Sequence, residues 1–174
     1  PAVQGVRESA RKTECLDKLH QLALALRQHE ATFQQFPKDG DRGWGVLAFL
    51  LPQLEQKPLY DQLQPQTVSR GALPPASQAL LNTELPIFWC PSYPGVETPS
   101  GTGDTRTTYL GNQAAPGLGS AGGGPNQGSF GSHHPGGVQI VLLDGQARFV
   151  ADGVDAGTFS ALCTPQGRDQ VGAY

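Results

Sequence analysis

With 174 residues, 37% of them apolar, and with 23 Gly and 15 Pro, the chain can bury one modest core and predicts short elements joined by long loops. A formal net charge of −3 with no block of like charges argues against a nucleic-acid or polybasic membrane-surface binder. No run approaches the roughly 20 apolar residues of a membrane span. The chain contains no Met and opens on Pro1 directly into helical sequence, which predicts a processed or truncated product.

Residues 2–36 predict one long helix. Cys15, Leu19, Leu22, Leu26 and Phe33 recur at helical spacing, bordered by Leu16, Ala23 and Glu30, with charged residues on the other faces. Pro1 suits a first helical position, and Pro37 with the "KDGD" after it ends the segment. Such a helix would be roughly 50 Å long, so part of it should protrude. "GWGVLAFLLPQLEQ" (43–56) predicts a short apolar helix, "PLYDQL" (58–63) a further turn, "PPASQALLNTEL" (74–85) a third helix and "PIFWCP" (86–91) a short strand. From Ser92 to Gly137 the composition is that of loop, with a candidate strand at 106–112 and a Gly-rich run at 117–129. "VQIVLL" and "QARFV" flank Asp144-Gly145, a strong hairpin signal for a type I′ turn. Val138, Ile140 and Leu142 are expected to face the long helix. "AGTFSALC" (156–163) predicts a closing helix.

Few residues suggest chemistry. His133, His134 and Asp144 are sensible zinc ligands, but adjacent histidines on an extended segment point to opposite faces. His20 and His29 sit nine apart on the first helix and share no close neighbourhood. A Ser-His-Asp set could be drawn from Ser129 or Ser132, a histidine and Asp144, yet no Gly-x-Ser-x-Gly elbow exposes the serine. Asp104, Asp152 and Asp155 could offer oxygens to calcium, but turn formation accounts for them more simply. The Gly-rich run lacks the Gly-Lys-Ser/Thr ending of a phosphate loop. Cys15, Cys90 and Cys163 make no Cys-x-x-Cys pair, and one disulfide with one leftover thiol would suit an exported protein without spacing saying which two pair. No catalytic residue, metal site or cofactor is expected. His134, Asp144 and Gly145 are read as fold determinants, His134 as a buried imidazole bonded to backbone or to a turn group.

The segment "PAVQGVRESARKTECLDKLHQLALALRQHEATFQQFP" resembles the helix that follows the membrane segment in pseudopilin-like proteins abundant in planctomycetes. The resemblance continues through "GWGVLAFLLPQLEQKPLYDQL", "IFWCPSYPG" and "YLGN". It ends on His134, nine residues, then Asp144-Gly145, which is similar to the prepilin-processing-associated C-terminal motif. Gly117–Ser129 stands where the family carries a longer segment, and "LALALRQHE" replaces "IGLALHNYH".

The resemblance implies an α+β, pilin-like single domain over 1–174, with residues 1–36 as a helical spine and 37–174 as a globular head. It implies a leader, a prepilin peptidase site and an apolar helix of about 20 residues ahead of "PAVQ". Function would be structural: a subunit of a pilus or pseudopilus related to type II secretion or type IV pili, exported to the cell envelope and anchored in the inner membrane. Its partners would be other pilin-like subunits, met through the N-terminal helix, and prepilin peptidase acting on the precursor. The alternative is a membrane-anchored surface module that captures a glycan or peptide in its loops. The resemblance also implies a Cys15–Cys90 disulfide, since both occupy positions where the family places a cysteine, with Cys163 a buried thiol in the last helix.

Overall fold

The computed structural model describes residues 2–38, 40–92, 134–142, 144–155 and 158. The expected strand at 106–112, the Gly-rich run at 117–129, His133, Cys163 and nearly all of the closing helix lie outside the described residues. The fold is α+β: one long helix lies against a small antiparallel sheet and against a set of short helical turns.

Helix α1 spans Ala2–Phe33, 32 residues and about 48 Å of rise. Its interior holds no proline and only Gly5, and Ala, Leu, Arg, Lys, Glu and Gln supply good helix formers. It ends where Gln34 turns left-handed (φ 56°) and donates its N–H to Glu30 O at 2.7 Å, with Pro37 close behind. The buried face runs through Cys15, Leu19, Leu22, Ala25 and His29. Phe33, expected on that stripe, is 45% exposed and instead lies against the His29 ring, centroids 4.5 Å apart. His29 takes the inward position because Gln35 O is 3.1 Å from its Nδ1 as the chain folds back.

The second layer is built of short pieces. The expected helix over 43–56 is broken: α2 covers Val46–Phe49, and a 3₁₀ turn covers Leu51–Leu54. Pro52 explains the break, since it has no N–H to donate and its ring would strike the carbonyl four residues back. Helix α3 spans Lys57–Leu63, and α4, Pro75–Gln78, runs into a 3₁₀ turn over Ala79–Asn82. The strand expected at 86–91 is instead a 3₁₀ turn over Pro86–Phe88, in which Phe88 N–H donates to Leu85 O and Trp89 N–H to Pro86 O. Proline opens that turn, and the only described sheet is fully accounted for by two other strands. These pieces close one core with α1, formed by Leu19, Leu22, Trp44, Phe49, Leu51, Leu63, Leu73 and Phe88.

Strands β1 (Gly137–Val141) and β2 (Ala147–Ala151) pair antiparallel, with Gln139 opposite Phe149 and Val141 opposite Ala147. Both strands pack on α1. The face turned to the helix is the one opposite to that expected. Gln139 Nε2 donates to Lys12 O at 2.6 Å, Lys12 Nζ sits 4.4 Å over the Phe149 ring, and Val141 and Ala147 join the core. Val138 and Ile140 therefore lie on the other face with Val150, which is itself 1% exposed. With side chains alternating at period two, a shift of one residue exchanges the faces completely.

The hairpin turn also differs from a type I′ turn. Gly145 alone has a positive φ (+90°) among the described turn residues. Gly145 N–H donates to Leu142 O, and Leu142 N–H to Gln146 O, both at 2.9 Å. Asp144 contributes through its side chain, Oδ1 accepting the Gln146 N–H at 2.8 Å. Gly145→Val is expected to cost about 1–2 kcal/mol, because a β-branched residue resists positive φ. Asp144→Ala should cost about 0.5–1 kcal/mol for one exposed hydrogen bond. Thermal melts of the two variants check the order: Gly145→Val should be the worse, and equal melts would contradict this account of the turn.

Candidate functional site

Two segments far from α1 in sequence are tied to it by lysines. Lys18 Nζ donates to Trp89 O at 3.1 Å, and Lys12 Nζ donates to Pro135 O at 2.9 Å. One lysine thus holds the residue before Cys90, and the other the residue after His134. Glu8 and Cys15 are seven apart, two turns along one helix face, with Lys12 between them. The cysteine and histidine brought in by the lysines land on that face.

His134 is 4% exposed and Cys15 2%, while Cys90 is half-buried. His134 Nδ1 lies 2.8 Å from Glu8 Oε1, and its Nε2 lies 3.3 Å from Cys90 Sγ. A carboxylate only accepts, so Nδ1 carries the proton and donates, which leaves the Nε2 lone pair facing sulfur when the ring is neutral. Glu8 also accepts from Ser92 Oγ at 3.1 Å and from Arg11, whose Nη2 is 2.7 Å away. The hydrogen bond from His134 holds the Glu8 carboxyl at about 2, well below its ordinary 4.5; Arg11 and Ser92 act in the same direction, and burial opposes them. The Cys90 thiol is lowered from 9 to about 6, first by its hydrogen bond with Cys15, against burial, and further by the Ser92 backbone and His134. Cys15 Sγ, Cys90 Sγ and the His134 ring nitrogen all lie within 4.8 Å of one another. Two thiols beside an imidazole can undergo thiol–disulfide chemistry or hold a thiophilic cation.

His134 is thus buried, as expected, and its ring lies against the Glu8 carboxylate of the long helix and the Cys90 sulfur. The motif of His134 with Asp144-Gly145 is divided between the two ends of β1: the histidine enters the cluster, and the Asp-Gly pair shapes the exposed hairpin tip. His134 and Asp144 therefore share no ligand set. Cys15 and Cys90, the disulfide implied by resemblance, are brought together here as thiols. Of the acidic residues considered for calcium, Asp155 accepts the Thr158 N–H at 3.0 Å, Asp152 is exposed, and Asp104 lies outside the described residues. Glu8 and Ser92 escaped the sequence reading. For Glu8 a signal existed, its position two turns ahead of Cys15 on the same face. For Ser92 there was none.

No curated protein matches this chain, and no solved structure does. One family model matches, over residues 4–128 and 116–157, which takes in α1, the core and the hairpin. The chain belongs to the family described as "Protein of unknown function (DUF1559)", a family associated with pilin-like envelope proteins.

Proposed function

We propose that the chain is a structural subunit of a pilus- or pseudopilus-like assembly of the cell envelope, related to type II secretion or type IV pili. Beside the family membership, the observation that carries this reading is the division of labour along α1. Its C-terminal half buries Leu19, Leu22, Ala25 and His29 in the head, while near its N-terminus Val3 and Val6 are 64% and 70% exposed. A spine with one end seated in a head and the other presenting apolar side chains suits a subunit whose helix continues into, and packs among, neighbouring spines. No described helix is itself long and apolar enough to cross a membrane. In this reading an apolar helix joined ahead of Pro1 anchors the subunit and later packs in the filament, after prepilin peptidase has processed the precursor. The apolar cavity beside Leu51, Leu63 and Phe88 is about 10 Å³, room for no more than a water.

The test is imaging and in-cell cross-linking of the precursor-encoded protein in its own envelope. Cross-links between copies near Val3 and Val6, in linear arrays, are the expected result. Isolated single copies that retain a glycan or peptide would favour the surface-capture alternative. A related expectation concerns the 174-residue chain by itself. It should be monomeric, because α1 carries no heptad seam along its exposed face. Light scattering showing a tight, concentration-independent oligomer would contradict that.

A further inference from the structure

We propose that Cys15, Cys90 and His134 form a binding site for a thiophilic divalent cation of the zinc class, with Glu8 as the carboxylate that orients the imidazole. The donor set is of the right kind: two sulfurs and one imidazole nitrogen are common ligands of a tetrahedral zinc ion, with metal–ligand distances of about 2.0–2.3 Å. Neighbouring ligands on such an ion are separated by about 3.5–3.8 Å. The 3.3 Å between Cys90 Sγ and His134 Nε2 is already close to that, and the whole trio lies within 4.8 Å, so about 1 Å of side-chain movement closes it.

Orientation points the same way. Glu8 at 2.8 Å from Nδ1 fixes the tautomer and turns Nε2 toward the sulfurs, the arrangement in which a carboxylate supports a metal-bound histidine. Charge also balances, since two thiolates and a neutral imidazole compensate a divalent cation, and Arg11 pairs with Glu8. The competing chemistry of the same atoms is a Cys15–Cys90 disulfide. That product has no S–H to donate toward Nε2 and ties together only two of the three segments that meet here. A cation satisfies the lone pair and both sulfurs together. It would also join α1, the segment after the Pro86–Phe88 turn and the entry to β1, three parts of a chain rich in loops. Three protein ligands leave the fourth position to water or to an outside donor, on the side where Cys90 is partly exposed.

The experiment uses the whole 174-residue chain, reduced and freed of metal, and titrates it with Co²⁺ and then Zn²⁺. The expected result is one equivalent of tetrahedral cobalt with thiolate-to-metal charge-transfer absorption, displaced by one equivalent of zinc. Cys15→Ser and Cys90→Ser should each remove about half of the charge-transfer intensity or all binding. Glu8→Gln, which keeps the shape of the side chain, should keep the stoichiometry and weaken affinity about 10- to 100-fold. Asp144→Ala, at the far end of β1, should bind as the parent does. The proposal is overturned if the folded, reduced parent shows no charge-transfer band, or if its affinity is unchanged in both Glu8→Gln and His134→Gln. It is overturned equally if the protein isolated from its envelope carries a Cys15–Cys90 disulfide and no metal.

Discussion

Gly137→Ala is expected to lower the melting temperature by roughly 6–12 °C, equivalent to about 3 kcal/mol in a chain of this size. Gly137 is the first residue of β1, is buried, and pairs with Ala151. A Cβ there would lie inside contact distance of Val150 O, 2.8 Å from Phe149 Cζ and 2.9 Å from Ala151 Cα. Two of those three atoms are backbone of the partner strand, so no rotamer change relieves the clash and the strands must part. A two-stranded sheet has little stability of its own and depends on its seat against α1. Parting the strands disturbs Phe149 under Lys12, and with it the lysine that holds Pro135. The same substitution should therefore weaken metal binding at His134, three residues upstream. Gly136→Ala is the instructive companion: its φ of +87° makes alanine strained, but a Cβ there meets nothing within 4 Å, so the loss should be nearer 1 kcal/mol. Melts in which Gly137→Ala is no worse than Gly136→Ala would contradict the close-approach argument.

What could be read in the sequence follows the range of the forces involved. α1 and the hairpin declare themselves locally, through apolar spacing and through Asp144-Gly145. The parity of β1 does not. Val138, Ile140 and Val141 offer apolar residues to both faces, and Gln139 reads as a solvent residue until its amide finds the Lys12 carbonyl. The segment at 86–91 has the composition of a strand, but a strand needs a partner edge, which composition does not record, and Pro86 favours the turn. The cluster around His134 is the extreme case. Cys90 and His134 stand 44 residues apart in sequence, and His134 and Glu8 stand 126 apart, so only the packing of both segments on α1 brings them together. A search for ligands close in sequence finds His133, which lies outside the described residues, and Asp144, which sits at the exposed hairpin tip.

Trp44→Ala should be the most damaging truncation in the core, costing about 3–5 kcal/mol, for it removes both a large buried ring and a tie between two loops. Trp44 is 2% exposed, and its Nε1–H donates to Val68 O at 2.8 Å. It sits at the end of a strained loop in which Gly40, Arg42 and Gly43 all take positive φ; its own N–H donates to Asp41 O, and its carbonyl accepts from Gly40. The same loop is bound a second time to the neighbouring segment by the Arg70 N–H on Arg42 O at 3.0 Å. The indole therefore packs beneath the loop and pins it to Val68, after α3. The strain at Arg42, a non-glycine residue at φ 50°, is held only while that seat persists. Trp44→Phe separates the two contributions. It keeps most of the ring volume, loses the N–H, and leaves Val68 O without that donor, for a cost of about 1–3 kcal/mol. Chemical denaturation of both variants gives the comparison. The expected order is Trp44→Ala well below Trp44→Phe, with Trp44→Phe below the parent; a Trp44→Phe protein as stable as the parent would show that the hydrogen bond to Val68 contributes nothing to holding the loop.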